Sequence, residues 1–476
     1  MAPTGTLEPD IRSLLENGFD EKTANLLYDQ GREVVIFALM QLAALALKTQ
    51  DINGTHPSTP SATTPTYLKE PGKKRKKKPG AKPGHKGSRR PPPIVNRHES
   101  HRLKNCPDCG TELNKRNQKR KRIIEDIPEN ITPEVTEHTI HRDYCPKCKK
   151  IVEPVVPDAM PNASIGNRTV VLTAFLHYFV GITISKIVEV FNTQFKFPLT
   201  PGGLIQLWQN LALILMFWYE EIGNVARSSA VLHADETGWR VNGKTHWLWC
   251  FTNQDVTYYV INRSRASPVV LRFFKRVFKG VLVTDFWGAY NAIMCAQKQK
   301  CLAHLLGDLK KVAKYKDTSD DWKEFSKRLK RLLRDAMRLR GRRDSMTAEK
   351  YASLCAAIEK RMTELIEASW KNGQAQRLVK RLRRHREELL VFLYNDLVPS
   401  DNNLAERSIR GAVVMRKNSY CNRSADGAKT QAILMSVFQT LKQRGFQGTD
   451  IVVNALRQYI TTKKLPALPK ILQTAE

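Results

Sequence analysis

Residues 231–262, VLHADETGWRVNGKTHWLWCFTNQDVTYYVIN, predict three consecutive antiparallel strands. The segments VLHADET, KTHWLWCFT and VTYYVI are rich in β-branched and aromatic residues, and Asn242-Gly243 after the first segment is a strong hairpin signal. Downstream, ASPVVLRFFKRVF is predicted to be an amphipathic helix, GVLVTD a further apolar strand and GAYNAIM a helical segment. Three strands followed by a helix and another strand predict an α/β domain.

Two acidic residues are predicted to end strands of this sheet, Asp235 the first strand and Asp285 the fourth. Carboxylates at the ends of neighbouring strands can converge on metal ions, and hard oxygen ligands suit the Mg²⁺ ions of phosphoryl chemistry. A third carboxylate, Glu406, lies on a predicted helix that begins near Asp401, after a long insertion. The residues alone leave simpler interpretations open: Asp285 as a turn residue, and Glu406 as the ion-pair partner of Arg410 one helical turn on.

The chain on both sides of these strands is predicted to be largely helical. Residues 164–226 contain SKIVEVFNTQF, a break at FPLTPGG and then LIQLWQNLALIL, a helix–turn–helix-like passage in which Thr200 precedes Pro201 as a helix cap. Because most helical hairpins bind no DNA, this passage alone is a weak indication of DNA contact. Residues 303–394 predict a long helical stretch, and residues 427–444 another amphipathic helix. The apolar face of the long stretch is marked by Trp322, Phe325, Leu329, Leu332, Ala336 and Leu339.

The N-terminal part of the chain predicts a helix followed by a basic linker. Residues 10–50 are predicted to be helical, and Val35, Leu39, Leu42 and Ala46 have the spacing of a short coiled-coil seam or of a helix packed on its own protein. Residues 72–93, GKKRKKKPGAKPGHKGSRRPPP, are expected to be disordered in isolation and to contact a nucleic-acid backbone, the alternative being a solvated linker. The predicted contacts are Lys73, Lys74, Arg75, Lys76, Lys77, Lys78, His85 and Lys86.

The overall charge indicates a polyanionic partner. The chain of 476 residues has 78 Lys and Arg against 46 Asp and Glu, a formal net charge of +32. Neutralising phosphates releases condensed counterions and favours binding to any nucleic-acid sequence, although a membrane surface is also polyanionic. The start of the chain shows no cleavable signal peptide, and the longest apolar run, residues 34–47, is too short for a membrane span. We therefore expect a cytoplasmic, nucleoid-associated protein without a membrane partner.

Four of the nine cysteines form two C-x-x-C pairs, Cys106 with Cys109 and Cys145 with Cys148. Each pair predicts a tight turn that directs two thiolates at one ion, and two such turns complete a tetrahedral Zn²⁺ site with no open position for catalysis. A hairpin built from strand-like residues 122–127 and 134–142 would span the long gap between the turns. Four unpaired thiols are the alternative.

Several segments resemble, in order, the blocks of the insertion sequence 66 transposase family. They are KKPGAKPGHKG, the two C-x-x-C turns, PLTPGGLIQLW, HADETGWRVNGKTHWLW, LVTDFWGAYN, CLAHLLGDLKK and DNNLAERSIRGAVVMRKNSYCNRSADGAKTQAILMSVFQTLKQRGF. The resemblance covers roughly residues 70–460. It implies a ribonuclease-H-like core whose Asp-Asp-Glu triad falls on Asp235, Asp285 and Glu406, holding Mg²⁺ or Mn²⁺ to cut and join double-stranded DNA at terminal inverted repeats. It also implies a homo-oligomer on DNA and small accessory proteins.

Several basic, aromatic and acidic residues near the predicted triad have alternative interpretations. Arg407, Arg410, Arg416 and Lys417 are candidates for gripping phosphates near the triad, the alternative being solvated charge. His304 is a candidate DNA contact or catalytic auxiliary, or else a packed or surface histidine, and Cys301 with His304 would need further partners to hold zinc. Leu305, Leu306 and Gly307 depart from the basic pair that often follows this histidine in the family. Three tryptophans are expected to pack in the sheet and three acids to lie outside the site: Trp239, Trp247 and Trp249; Asp255, Asp308 and Asp426.

The sequence thus predicts an α/β protein with eight segments. They are an N-terminal helical segment (1–51), a basic linker (52–102), a zinc ribbon (103–155), a helix–turn–helix-like region (160–228), the first part of the core (229–302), a helical insertion (303–398), core helices carrying Glu406 (399–465) and a tail (466–476). The predicted function is that of an Asp-Asp-Glu DNA transposase. The alternatives are a non-catalytic DNA-binding relative, or a structure-selective nuclease on the same fold that would cut branched DNA without joining strands.

Overall fold

The structure, a computed structural model, describes residues 28–29, 35, 93–114, 120–128, 131–275, 277–315 and 319–471. By internal contacts the chain divides into two units, Met1–Lys69 with Lys310–Lys316 and Glu70–Leu309 with Asp317–Glu476. Of the first unit, residues 28–29, 35 and 310–315 are described, and all are helical. The remaining seam positions Leu39, Leu42 and Ala46, and the basic tract as far as residue 92, lie outside the described residues.

The described residues form a mixed α/β structure with seven strands and twelve α-helices. The strands are β1 (Asp143–Cys145), β2 (Lys150–Val152), β3 (Val231–Val241), β4 (Lys244–Thr252), β5 (Thr257–Asn262), β6 (Val277–Thr284) and β7 (Met294–Lys300). The helices before β7 are α1 (Asn167–Phe175), α2 (Ile184–Gln194), α3 (Pro201–Ile214), α4 (Met216–Arg227) and α5 (Ser267–Phe274). Those after it are α6 (Leu302–Tyr315), α7 (Asp320–Arg340), α8 (Ala348–Glu367), α9 (Gly373–Arg384), α10 (Asn403–Ser419), α11 (Ala425–Gln443) and α12 (Gly448–Thr462).

Five strands form the central sheet in the order β5-β4-β3-β6-β7. The strands β3, β4 and β5 are antiparallel neighbours, whereas β6 runs parallel to β3 and β7 parallel to β6. The hairpin between β3 and β4 turns at Asn242 and Gly243, whose φ angles of 49° and 71° are those of a type I′ turn. The predicted three-stranded antiparallel unit, the helix α5 and the following strand are therefore confirmed.

Three local predictions differ from the structure. GAYNAIM forms a 3₁₀ turn at Gly288–Ala292 and then enters β7, a strand that the sequence does not predict because MCAQKQK is largely polar and five of its seven residues are not buried. Residues 122–127 and 134–142 are not strands. They are exposed, so they have no neighbouring strand or apolar core face whose contacts would stabilise a strand. The short hairpin of β1 and β2 instead flanks the second C-x-x-C turn.

The helix α11 covers the open edge of the sheet. The backbone N–H of Tyr259 in β5 donates to Ser436 Oγ at 2.9 Å, and that of Thr257 donates to Thr440 Oγ1 at 3.1 Å. These hydroxyls of α11 satisfy edge groups that otherwise need water or another strand. The helix is buried along most of its length, so it joins the sheet to the N-terminal helices.

The positions of the helical regions agree with the sequence, but the prediction of an amphipathic helix at residues 427–444 was wrong, because α11 is buried on nearly all sides. Thr200 Oγ1 accepts from the N–H of Gly203 at 3.2 Å, with Pro201 at the first helical position of α3, so the predicted cap is confirmed. The long stretch is broken into the four helices α6 to α9, and the six residues of its predicted apolar face are all buried. In the part of the chain that the structure describes, no helix combines the length and apolarity that crossing a bilayer requires.

Gly280 offers a test of the contact between β6 and the start of β3. A Cβ at this position would lie 2.4 Å from the carbonyl oxygen of Ser229 and 2.6 Å from that of Ala230, and backbone atoms cannot move aside cheaply. We expect Gly280→Ala to lower the free energy of unfolding by about 1–3 kcal/mol, measured by urea denaturation.

Gly411→Ala is the matched control, because Gly411 is exposed on α10 and an added Cβ there meets nothing within 4 Å. It should stabilise the protein by up to about 1 kcal/mol through helix propensity. Equal unfolding free energies for the two variants would contradict this account of the β3–β6 contact.

Candidate active site

The pairing of β3 with β6 sets two acids at the same level of the sheet. Their parallel register ends at His233 opposite Val283. If that register continued for two more residues, Asp235 would lie level with Asp285, the residue directly after β6; paired strands lie about 4.8 Å apart. The prediction that Asp235 ends its strand was wrong, because pairing with β4 carries β3 on to Val241. What ends near Asp235 is the parallel pairing.

A buried asparagine ties the third acid to these strands. Asn402, directly before α10, donates from Nδ2 to the carbonyl oxygen of Ala234 at 2.8 Å, and its Oδ1 accepts from His233 Nδ1 at 3.0 Å. Because the amide oxygen only accepts, the imidazole must donate from Nδ1, and burial lowers the pKa of His233, which favours that neutral form. Glu406 follows one turn later, its N–H donating to the Asn402 carbonyl at 3.2 Å.

The negative charges of the acids act on one another. Burial raises the pKa of Asp235 well above its ordinary value, and the charges of Glu236, Asp285 and Glu406 raise it further. Burial and the charge of Asp285 also raise the pKa of Glu236 to about 6, against the lowering effects of Tyr290 and Arg265. Acids that repel one another in a buried place are poised to bind a cation.

A cage of aromatic rings and one arginine lies beside the acids, and the sequence did not predict it. Arg265 donates from Nε and Nη2 to Glu236 Oε1 at 3.0 and 2.8 Å, while its guanidinium carbon lies 4.4 Å from the ring centre of Trp247 and 3.8 Å from that of Trp287. Tyr290 donates its hydroxyl to Glu236 Oε2 at 2.5 Å. The backbone N–H of Trp287 donates to Asp285 Oδ1 at 2.8 Å, so the cage also holds this carboxylate.

Lys300 contacts the backbone of Asp285 from the buried side of the sheet. Its side chain is fully buried, and Nζ donates to Thr284 Oγ1 and to the carbonyl oxygen of Asp285, each at 3.1 Å. Burial lowers the pKa of this amine. One of the Lys300 hydrogen bonds holds the Asp285 carbonyl and the other holds its neighbour Thr284. The N–H of Trp287, two residues on, donates to the Asp285 carboxylate as in an Asx turn, so the interpretation of Asp285 as a turn residue is also supported. No sequence signal distinguished Lys300 from the other lysines, because its burial depends on the position of β7.

The tryptophans divide into two groups. Trp239 and Trp249 are buried and donate from Nε1 to Asn422 Oδ1 at 2.7 Å and to the Ser264 carbonyl at 3.2 Å, which confirms their packing role. Trp247 instead stacks on Arg265. Its indole therefore has an electrostatic as well as a packing contact.

The surroundings of Glu406 differ from the simplest interpretation. Within the described residues its ion-pair contact is with His304, at 3.9 Å between Oε1 and Nδ1, and not with Arg410. Cys301, His304 and Glu406 each offer a ligand atom, and these three atoms lie within 4.8 Å of one another. In the described part of the chain this is the one group of three or more metal-ligating side chains that is so close. The three predicted triad acids do not form so close a group.

The basic candidates on α10 have different environments. Arg407, Arg410 and Lys417 are exposed. Arg416 is half-buried, donates to Thr237 Oγ1 at 3.1 Å and to the Gly238 carbonyl, and so fixes α10 to β3. Phosphate contacts by all four residues stay a prediction, as do those of the basic tract from Lys73 to Lys86, which lies outside the described residues.

The three acids that the sequence predicts to lie outside the site have structural or peripheral positions. Asp255 accepts a bidentate pair from Arg444 at 2.7 and 3.0 Å, and Asp308 accepts from Arg381 at 2.7 Å. Asp426 is exposed at the start of α11. Leu305, one of the departures from the family pattern, is fully buried, so it packs α6 in place of a basic contact.

The C-x-x-C pairs each form a tight turn. In the first, Gly110, with a φ of 76°, donates to the Cys106 carbonyl at 2.9 Å. In the second, the N–H of Cys148 donates to Cys145 Sγ at 3.4 Å. Hydrogen bonds from Thr111 lower the pKa of Cys109, and those from Cys148 lower that of Cys145.

Lowered thiol pKa values favour the thiolates that bind zinc. Four thiols in two such turns fit the donor set of a structural Zn²⁺ ion. Among the described residues the four sulfur atoms do not all lie within 4.8 Å of one another, so an ion would have to draw the turns together.

Comparison with known proteins agrees with these features. Residues 162–430, more than half of the chain, match the family described as "Transposase IS66 family". The chain therefore belongs to the IS66 transposase family. Residues 104–149 match the "zinc-finger binding domain of transposase IS66", which supports Zn²⁺ as the ion that the cysteine turns bind.

A stretch of 238 residues is also 28% identical to a Sinorhizobium fredii protein described as "Uncharacterized protein y4qI". It covers 44% of this chain and 43% of that protein, so the similarity spans less than half of the relative's length.

The pair of Glu236 and Arg265 can be tested through stability. The Glu236 side chain is 1% exposed and that of Arg265 20%, so Arg265→Met leaves a buried carboxylate without its main partner. We expect a loss of about 3–5 kcal/mol in the free energy of unfolding. Adding Glu236→Gln should recover part of that loss, giving a coupling between the two positions in a double-mutant cycle.

Arg263→Met is the control, because Arg263 is exposed two residues away and should change stability by less than about 0.5 kcal/mol. Strict additivity of the Glu236 and Arg265 substitutions would refute the proposed pairing.

Proposed function

We propose that this protein is a DNA transposase that cleaves and joins strands at the terminal inverted repeats of an insertion sequence. In this proposal Asp235, Asp285 and Glu406 hold Mg²⁺ or Mn²⁺ beside the scissile phosphate. The observation that carries it is the parallel register of β3 and β6, which ends two residues before Asp235 and Asp285. The charges of Asp285 and Glu406 both raise the pKa of Asp235, which supports their proximity. The sheet, with three antiparallel strands followed by two parallel ones, supports a ribonuclease-H-like core.

The residues suit a site for hard divalent ions. Carboxylate oxygens are the ligands that Mg²⁺ prefers, and bound ions of this kind activate an attacking oxygen and stabilise a leaving one. Asp235 lies within β3, and Asp285 directly follows β6 and is held by hydrogen bonds from Lys300 and Trp287. These contacts supply the fixed geometry that phosphoryl transfer needs. Glu406 is 42% exposed on a helix, so its side chain has room to turn from His304 toward the other two acids.

The partner in this proposal is double-stranded DNA, both as element ends and as target. The net charge of +32 supports this partner, because phosphate neutralisation releases counterions. The exposed residues Arg407, Arg410 and Lys417 lie on the helix that carries Glu406, where they would grip phosphates next to the cut. We further propose assembly as a homo-oligomer on DNA, with small accessory proteins as additional partners.

Removal of one acid should separate cutting from binding. We expect Asp285→Ala to reduce Mg²⁺-dependent cleavage of an end fragment by at least about a thousandfold, because an ion ligand contributes several kcal/mol to the transition state. Binding of the same fragment in a mobility-shift assay should stay nearly unchanged. Asp426→Ala, an exposed acid outside the site, is the control and should cut normally.

Cleavage by Asp285→Ala at the wild-type rate would contradict the metal assignment. Cleavage of branched DNA without terminal repeats, and without strand joining, would contradict the transposase assignment and leave a nuclease.

The repulsion among the acids gives a second prediction. Asp235→Asn removes a buried charge that Glu236, Asp285 and Glu406 oppose, so it should raise the Tm in magnesium-free buffer by a few degrees while abolishing cleavage. The check is differential scanning calorimetry of both proteins with their zinc retained. Because the destabilising carboxylate is removed, a lower Tm for the variant would be evidence against repulsion at this site.

A further inference from the structure

A second cluster of metal-ligating side chains lies beside the proposed magnesium site. The ligand atoms of Cys301, His304 and Glu406 all lie within 4.8 Å of one another. Sequence reasoning found the first two residues and no partner for them. The third comes from α10, a hundred residues further along the chain.

The cluster is built by two anchored backbones. The N–H of Cys301 donates to the Thr284 carbonyl at 2.9 Å as β7 ends, and that of Leu302 donates to the Ser400 carbonyl at 2.9 Å. His304 follows three residues after Cys301, which brings thiol and imidazole to one side of the first turn of α6. The N–H of Asn402 donates to Cys301 Sγ at 3.2 Å, so the residue that begins α10 also touches the thiol.

We propose that Cys301, His304 and Glu406 bind a borderline-soft divalent ion of the Zn²⁺ class, at a site separate from the four cysteines of the C-x-x-C turns. Thiolate, imidazole and carboxylate are all zinc ligands, and three of them leave an open fourth position. A thiolate selects against Mg²⁺, which takes oxygen ligands. Bonds of about 2.0–2.3 Å require ligand atoms roughly 3.5 Å apart, so the side chains must close by about 1 Å.

Binding of the ion replaces the proton of the Cys301 thiol, which passes to solvent, and the sulfur, nitrogen and oxygen atoms each donate an electron pair. No oxidant or reductant is needed. His304 is 43% exposed, so an ion has a route from solvent to the cluster.

The site has a consequence that rests on the proposed function. A Zn²⁺-class ion at Cys301 and His304 would hold the Glu406 side chain on the side of His304, and so away from Asp235 and Asp285. The transition ion is therefore an inhibitor of magnesium-dependent cleavage.

The direct test counts metal ions in the full-length protein after saturation with zinc and removal of free ions. We expect two Zn²⁺ per chain for the wild type and one for Cys301→Ser, which keeps the size and the hydrogen-bond acceptor but is a poor zinc ligand. Cys355→Ser is the matched control, a buried thiol of α8, and should retain two ions. His304→Gln changes a half-exposed side chain and therefore leaves the packed core intact. This variant should bind one Zn²⁺ per chain, as Cys301→Ser does.

Equal zinc content in the wild type, Cys301→Ser and His304→Gln would overturn the proposal. A Cys106→Ser variant identifies the remaining ion as that of the C-x-x-C turns, because it should lose one ion and keep the other. Inhibition of cleavage by added zinc should be weaker by about tenfold or more in His304→Gln than in the wild type, each compared with its own zinc-free rate.

The variant Asp235→Asn separates this inference from the proposed function. It should lose cleavage yet keep both zinc ions. Unimpaired cleavage by Asp235→Asn with loss of one ion in Cys301→Ser would refute the magnesium site and leave the zinc site standing. Loss of cleavage by Asp235→Asn, with both ions retained in Cys301→Ser, would refute the zinc site alone.

Discussion

The parallel pairing of β3 with β6 is the constraint on which the rest of the site depends. It aligns Asp235 with Asp285, and burial together with mutual repulsion raises the pKa of Asp235. A buried carboxylate beside other negative charges is unfavourable without a compensating cation, and such a cost is typical of functional sites. A fold that only needed stability would place apolar residues here.

The surrounding residues keep this unfavourable arrangement in place. Asn402 joins β3 to the start of α10, and Arg265 compensates the charge of Glu236 while stacked between two indoles. Lys300 fixes the backbone of Asp285 from the buried side. Glu406 is held less firmly than the two aspartates, since its nearest ion-pair partner is an exposed histidine. This asymmetry fits the proposal that Glu406 moves between two ion sites while the two aspartates stay fixed.

The strands and the hairpin could be predicted from the sequence because their signals are local. Their β-branched and aromatic residues and the Asn-Gly turn predict β3 and β4 from the local sequence alone. Strand β7 was missed because it is polar at most positions and owes its conformation to β6, and the expected strands at 122–127 and 134–142 failed because an exposed segment has no core to favour pairing. The triad candidates came from the predicted strand ends and helix together with the family resemblance, whereas Asn402, Arg265 and Lys300 required coordinates. Their roles depend on contacts between residues that are distant in sequence, which no spacing rule reports.

The central claim is that Asp235 and Asp285 share a divalent ion, and a crystal of the protein soaked in Mn²⁺ tests it most directly. Data collected near the manganese edge should show an anomalous peak about 2.0–2.2 Å from a carboxylate oxygen of each residue, in oxygen-rich coordination. The two carboxylates should then lie on either side of one ion. Diffraction data without a peak between them, or with the two side chains turned apart in the presence of the ion, would contradict the account.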